Sequence, residues 1–373
     1  MSLEHLIIKP ATEAQAHETV VRNASHWGAR ANITVDDFVK LSAIFQQSAF
    51  ARDGRLNNWV LVPEDDPDTT NFYASCQILT REALILQPGE SSPTSSFGHA
   101  VSGVFVPPEH RGKGYANQLA SLMHYALAPH RYPTPLRLPT AANHPGAVSV
   151  LYSALGDYYS RCIPSPGESG WTLQKSLITT WSLSNVVIPP SNRTSVPVEL
   201  LSESDVTRTL DSDNSCIPTD LLDLQKKDPT KTYFAFVPTA PLNSYSVTLS
   251  KLIPGAPVNP PWGAKISGTN DFMTWAYFRR PALKLAITRL RASVDSFTVL
   301  LDAAVQVARD TGCESIEAWN VPEHLTEIAQ AVGGETTDRT DNLTAFKWYG
   351  LQPGSKVDNA DVVWALDERY CWC

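Results

Sequence analysis

Apolar positions recur at two periods along this chain, and the changes of period mark its elements. Ala116, Leu119, Ala120, Met123 and Leu127 share one face at a 3.6-residue repeat, which predicts a helix over Asn117 to Ala128. Upstream, Leu3 to Lys9 reads as a short strand and Ala11 to Ser25 as a helix. A second helix is predicted over Asp36 to Ala51, with Phe38, Leu41, Ile44 and Phe45 on one side. Trp59 to Pro63 and Phe72 to Leu86 read as strands joined by the acidic turn Glu64-Asp-Asp-Pro-Asp68. The Pro/Gly/Ser loop Gln87 to Ser96 then makes His99 to Val106 the hairpin partner of the preceding strand. Pro129 to Gly146 is too rich in proline for a helix. Ala147 to Tyr152 reads as a strand, Leu155 to Arg161 as a short helix and Trp171 to Leu177 as a last strand.

A polar, proline-containing stretch, residues 182–195, leads into a second half with the same mixed pattern. Ser204 to Leu210 and Thr219 to Leu224 read as helices, and Tyr233 to Val237 as a strand. Phe272 to Arg280 and Leu283 to Leu290 read as a hairpin, followed by a helix over Val294 to Arg309 with Phe297, Leu301, Ala304, Val305 and Ala308 inward. A strand at Ser315 to Asn320, a helix at His324 to Val332 and strands at Thr344 to Tyr349 and Val362 to Leu366 complete it.

Composition narrows the function classes. A length of 373 residues suits two domains, each able to bury a core. The net charge of −8 argues against broad nucleic-acid binding, which wants a basic face. No apolar run approaches twenty residues, so no membrane span is expected, and Met-Ser-Leu-Glu-His-Leu lacks the pattern of a secretory signal. The scattered cysteines (Cys76, Cys162, Cys216, Cys313, Cys371 and Cys373) have no metal-ligand spacing, so no metal is expected and a reducing, cytoplasmic setting is.

The sharpest chemistry lies between the apolar strand ending at Val106 and the central helix. Gly112 and Gly114 form a turn that aims unpaired N–H groups and the positive end of the helix dipole at one spot, which favours an anion such as a phosphate. Arg111 and Lys113 add positive charge there. The run is neither Gly-x-x-x-x-Gly-Lys-Ser/Thr nor a dinucleotide-type Gly-x-Gly-x-x-Gly.

Arg111-Gly-Lys-Gly-Tyr-Ala116, preceded by Val104-Phe-Val-Pro-Pro108, resembles the pyrophosphate loop of the GNAT N-acetyltransferases, Arg/Gln-x-x-Gly-x-Gly/Ala. The order strand, two helices, three strands, helix is also that of the start of the GNAT fold. Leu151-Tyr-Ser-Ala-Leu-Gly-Asp-Tyr-Tyr-Ser-Arg161 with Gly170-Trp171 is similar to the Phe-Tyr-x-x-x-Gly-Phe/Trp signature, departing from it by an insertion over Cys162 to Ser169. Within the superfamily the chain resembles the fungal lysine N6-acetyltransferases. Trp27-Gly28, His99, the loop, Leu151-Tyr-Ser153 with Gly156, and Tyr370-Cys-Trp-Cys373 carry that resemblance.

The resemblance implies an α+β, GNAT acyl-CoA N-acyltransferase fold over residues 1–181, then a linker over 182–195. Residues 196–373 would be a degenerate GNAT-like domain, because Arg291-Ala-Ser293 replaces the glycine turn. An unrelated α+β domain is the alternative for that half. It further implies acetyl-CoA, with Arg111, Gly112, Lys113, Gly114, Tyr115 and Ala116 around its pyrophosphate and the backbone of Val104, Phe105 and Val106 along its pantetheine arm. Tyr159 matches the thiolate-protonating tyrosine, with Tyr158 as the fallback beside the insertion. His99 is a candidate base, since an imidazole with a pKa of about 6.5 is poised to take an ammonium proton. His110 and His124 are assigned to solvent or cofactor-side contacts.

Trp27 and Arg22 are candidates for the acceptor side, as are Tyr370 and the Cys373 carboxylate if the tail folds back onto the first domain. Trp372 plugging the seam between domains is the alternative for that tail. The expected reaction is transfer of an acetyl group to a small-molecule amine, best matched by the side-chain amine of lysine. A biosynthetic GNAT-fold enzyme with another acyl donor, acceptor or reaction is the alternative, and a protein acetyltransferase a further one, disfavoured by dispersed Asp and Glu. Monomer and homodimer both stay open.

Overall fold

Two mixed sheets organise the chain, and each borrows strands from the other's half of the sequence. The computed structural model describes residues 3–29, 33–132, 144–188, 197–252, 255–279, 282–354 and 357–372. The first half contributes β1 (Leu6–Pro10), α1 (Glu13–Asn23), α2 (Val35–Gln47), β2 (Leu56–Pro63), β3 (Ala74–Leu86), β4 (Thr94–Phe105), α3 (Tyr115–Leu127), β5 (Val148–Ser153), β6 (Thr172–Leu173) and β7 (Leu177–Ser182). The second half begins with β8 (Val198–Leu201), α4 (Glu203–Asp213), α5 (Ile217–Lys227), β9 (Thr232–Phe236), α6 (Ala240–Leu252) and β10 (Gly263–Ile266). It continues with β11 (Phe272–Arg279), β12 (Leu283–Arg291), α7 (Val294–Asp310), β13 (Ser315–Trp319), α8 (Glu323–Ala331), β14 (Glu335–Asp338), β15 (Leu343–Trp348) and β16 (Val362–Trp364).

The first sheet runs β1-β2-β3-β4-β5-β15-β6, with β9 joined to β3 and β16 to β9. The second runs β14-β7-β13-β12-β11-β10-β8. The expected last strand of the first half, Trp171 to Leu177, is therefore divided. Only Thr172–Leu173 pairs in the first sheet, and the chain then crosses to the second sheet as β7. β15 returns from the far end of the chain to lie between β5 and β6. Burial explains the exchange, since Phe346 and Trp348 of β15 pack into one core with Val148 and Val150 of β5. The α2 helix is one turn shorter than expected, and none of its residues is fully buried. Its Phe45 meets Phe50 and Tyr245, each at 5.4 Å, whereas Ile44 stays exposed.

Both sheets contain the same unit of hairpin, helix and parallel strand, built from β3–β4, α3 and β5 in one and β11–β12, α7 and β13 in the other. In the first, the parallel ladder ends at Val101–Leu151 while β4 continues to Phe105. In the second it ends at Ile287–Ala318 while β12 continues to Arg291. A bulge begins each fork. On β4 the register slips where Ser75–Phe105 and Gln77–Ser102 pair, about Gly103 at φ +58°. On β12 it slips at Thr288, where the pair Thr274–Arg289 is followed by Trp275–Ile287.

The second fork is filled by the chain's own end. Leu290 N–H on one arm donates to Glu368 Oε2 at 2.7 Å, and Asn320 Nδ2 beyond the other arm donates to the Asp367 carbonyl at 2.7 Å. Arg289 pairs with Glu368 and, at 2.9 Å, with Asp213. The helix after this fork is closed as well. Ser293 caps α7 reciprocally with Ser296, which gives the amides of both residues an internal partner. These contacts occupy the second fork and the start of its helix with the chain's own groups.

Burial pushes the Asp367 carboxyl up to about 7, against the pull of Arg339. A folded-state pKa above the ordinary value near 4 means that ionisation on raising the pH costs stability, fully so once pH exceeds about 7. Asp367→Asn is therefore expected to raise the melting temperature at about pH 8 and to leave it nearly unchanged at about pH 4. Equal shifts at both pH values would show that the carboxyl does not titrate between the two states.

Among the described residues no helix is long and apolar enough to cross a membrane, and no group of three His, Cys, Asp or Glu is placed to hold a metal ion.

Candidate active site

The first fork differs from the second in what lies between its arms and at its end. Beyond Val101–Leu151, Ser102 to Phe105 have β3 on one side and, among the described residues, no strand partner on the other. Past Phe105 the chain makes a single 3₁₀ turn at Pro108–His110 and then the glycine turn. Gly112 and Gly114 adopt φ values of +75° and +87°, the left-handed region where a side chain strains the backbone. A Cβ on Gly112 would meet nothing within 4 Å, so conformation rather than space requires glycine there.

Gly114 caps α3 without a side chain to offer. Among the described residues nothing accepts from the amides of residues 112–117. Arg111 Nε donates to the Val106 carbonyl at 3.1 Å and Lys113 Nζ to the Glu109 carbonyl at 2.9 Å, which holds one cation on each side of the turn. Tyr115 stacks on Tyr73 at 4.6 Å, with His110 edge-on to both rings. Unpaired amides, two cations and an open strand edge suit a diphosphate continued by an amide-bearing arm, which is what coenzyme A offers.

Tyr159 sits in a 3₁₀ turn, Tyr158–Arg161, beside the fork. Its ring meets Trp171 edge-on at 6.2 Å and Tyr158 at 5.2 Å, within the core that also takes Val104, Val106 and Leu151. Burial, then the nearby Cys162, Tyr158 and Cys76, push its phenol well above the usual range, so it stays protonated at neutral pH. No described residue hydrogen-bonds its hydroxyl. The insertion loops outward and returns, because Gly170 N–H donates to the Ser160 carbonyl and Trp171 N–H to the Tyr159 carbonyl, both at 3.2 Å. Any Cβ at Gly170 would overlap the carbonyl oxygens of Tyr159, Ser160 and Cys162.

Trp27 reaches the same fork from a π-helical turn, Ala24–Gly28, after α1. Its indole lies 5.9 Å from Phe105, and His26 lies 6.1 Å from the same ring. His26 escaped the sequence reading because no spacing signal marks it, and only the π turn brings it to Phe105.

The other expected site residues are placed elsewhere or already engaged. His99 is fully buried, its Nε2–H donating to the His144 carbonyl at 2.9 Å and its Nδ1 accepting from Thr80 Oγ1 at 3.2 Å. Burial lowers it to about 4, so the ring is a neutral structural imidazole, poorly suited to take a proton from an ammonium group. Arg22 is spent on Glu18 at 2.6 Å and on the carbonyls of Phe72 and Thr70 at 2.8 and 2.9 Å. Tyr370 is buried behind the first sheet and donates to the Phe236 carbonyl at 2.8 Å. Trp372 packs at the seam against Tyr245 and Phe278, with Nε1–H on Asn342 at 3.0 Å. Cys373 lies outside the described residues.

A sequence model of the LYC1 GNAT-like C-terminal domain matches residues 183–373, half of the chain. The chain belongs to the LYC1 GNAT-like family. A lysine acetyltransferase of Yarrowia lipolytica is 35% identical over 105 residues, which is 27% of this chain and 25% of that protein. The chain thus matches about a quarter of that relative's length. Among solved structures, a GCN5-related N-acetyltransferase from Kribbella flavida aligns with a TM-score of 0.51 at 14% identity, covering 92% of this chain and 71% of its own. A probable N-acyltransferase from Enterococcus faecalis aligns with a TM-score of 0.53 at 11% identity, covering 93% and 73%. The LYC1 GNAT-like chain therefore has a GNAT fold, a fold whose members generally use acetyl-CoA, along nearly its whole length.

Proposed function

We propose that this chain transfers the acetyl group of acetyl-CoA to the amine of a small molecule, the side-chain amine of lysine or a related amino acid. The observation that carries this reading is the β4–β5 fork, left open on one arm and ending at the uncapped amides of residues 112–117. Acetyl-CoA supplies a thioester whose thiolate needs a proton as it departs. The Gly112–Asn117 amides with Arg111 and Lys113 hold the diphosphate, and the free edge of Val104, Phe105 and Val106 orients the pantetheine arm. The neutral amine would attack the thioester carbonyl, the C–S bond breaking as the C–N bond forms. Tyr159, kept protonated by burial, would give its proton to the departing sulfur, and the proton lost by the amine nitrogen would return through water to restore the phenol. Trp27 and His26, against Phe105, wall the acceptor side, and an indole face suits an ammonium or its neutral amine. Lysine is favoured by the 35% identity to the Yarrowia enzyme.

Two measurements test this. Thiol release from acetyl-CoA is expected with free lysine, and activity confined to histone peptides or polyamines overturns the acceptor assignment. Arg111→Glu is expected to weaken acetyl-CoA binding in calorimetry by about tenfold or more, roughly 1.4 kcal/mol for each factor of ten. Unchanged affinity would remove the loop from the cofactor site.

A further inference from the structure

The α3 helix that would grip the diphosphate also grips the turn that carries Tyr159. Asn117 and His124 lie seven residues apart, two turns along one face of α3. Asn117 Nδ2 donates to the Arg161 carbonyl at 3.2 Å, and His124 Nε2–H donates to the Cys162 carbonyl at 2.9 Å. These are the last carbonyls of a 3₁₀ turn, which have no partner of their own. With Trp171 and Cys162 amides on the Tyr159 carbonyl and the Gly170 amide on that of Ser160, every carbonyl from 159 to 162 has a donor. The turn is held from two sides.

What keeps His124 a donor comes from the far end of the chain. Its Nε2 faces a carbonyl and must carry the proton, so Nδ1 accepts, and Tyr349 O–H donates to it at 2.8 Å. Ser149 Oγ in turn donates to the Tyr349 oxygen at 2.7 Å. Burial keeps the imidazole neutral, pushing it down to about 3, and the ring stacks on Trp171 at 4.1 Å. Tyr349 directly follows β15, the strand that the second half inserts beside β5.

We infer that Asn117 and His124 are positioning residues for Tyr159, and that the second half of the chain sets their geometry through Tyr349. This rests on the reading of Tyr159 as the proton donor. It gives the cofactor-less half a task in the reaction, which is to supply the hydroxyl that fixes the His124 tautomer. It also links cofactor to acid, because one rigid helix meets the diphosphate at its first turn and the Tyr159 turn one side away.

His124→Phe keeps a flat ring over Trp171 and removes both the Nε2–H donor to Cys162 and the Nδ1 acceptor of the Tyr349 hydroxyl. It is expected to lower kcat about tenfold or more with the KM for acetyl-CoA within roughly twofold, the pattern of an interaction used in the transition state alone. His124→Gln, which restores an N–H near the Nε2 position, is expected to recover at least a third of the loss in log kcat, and Tyr349→Phe to lose kcat in the same direction. The deciding measurement is a double-mutant cycle with Tyr159→Phe, in which His124→Phe is expected to cost almost nothing further. An undiminished cost in that background, or no change in kcat from His124→Phe alone, overturns the positioning role while leaving the acid intact. Full activity of Tyr159→Phe by itself overturns the acid and, with it, this inference. If His124→Phe fails to fold, judged by its circular dichroism, Tyr349→Phe and Asn117→Ala take its place in the same cycle.

Discussion

Tyr159→Phe is expected to lower kcat by about 10²–10⁴-fold, the usual contribution of a positioned proton donor. The substitution is conservative in every other respect. The ring keeps its edge contacts with Trp171 and Tyr158, and the hydroxyl has no hydrogen-bond partner among the described residues to be orphaned. Stability should therefore hold, and the KM for acetyl-CoA should change by less than about twofold, because the diphosphate amides lie on another element. Steady-state kinetics with Tyr158→Phe as a control reads the effect. A Tyr159→Phe enzyme within threefold of the parent, or a larger loss in the Tyr158 variant, would move the acid elsewhere.

Arg289→Met is expected to cost about 3–5 kcal/mol of folding stability, because removing one partner of a buried ion pair strands the others. Arg289 is 2% exposed and holds two carboxylates at once, Asp213 at the end of α4 and Glu368 in the chain's last turn. Arg291 would remain on Asp213 and on Asp220, but Glu368 would face only the Leu290 amide. Urea denaturation at neutral pH measures the loss. Replacing the charges together, Arg289→Met with Asp213→Asn and Glu368→Gln, is expected to recover most of it, since the penalty lies in the stranded charges. A single variant within about 1 kcal/mol of the parent would show that water reaches the network.

The second prediction bears on the first. Of the two carboxylates that Arg289 holds, Glu368 belongs to the segment that fills the second fork, and β15, in the same half of the chain, leads to Tyr349 on His124.

Much of the site was legible because its signals are local. The helix period of Ala116 to Leu127, the glycines that alone tolerate positive φ and the proline stop after Val106 all act within a few residues, and each element formed where expected. Trp27 was legible in type and proved to lie against Phe105. His99, Arg22 and Tyr370 were not, because whether a polar side chain is free depends on what packs around it. His99 looks identical in sequence whether it faces an open fork or, as here, the His144 carbonyl and the Thr80 hydroxyl. The small strands β8, β10 and β14 and the α6 helix were also missed, being short or carried by weak periodicity that tertiary contacts complete.

The sequence by itself determined the α+β class, the repeated hairpin–helix–strand order and the phosphate-type turn, since backbone conformation and apolar period are properties of neighbouring residues. It also distinguished the two halves, because Gly112 and Gly114 leave amides free where Ser293 and Ser296 close them. Only the tertiary structure decided that β7 and β15 change sheets, that Glu368 fills the second fork and that Tyr349 reaches His124 across 225 residues of sequence. Those pairings join strands and side chains whose hydrogen-bonding needs are generic, and burial in a shared core selects the partner.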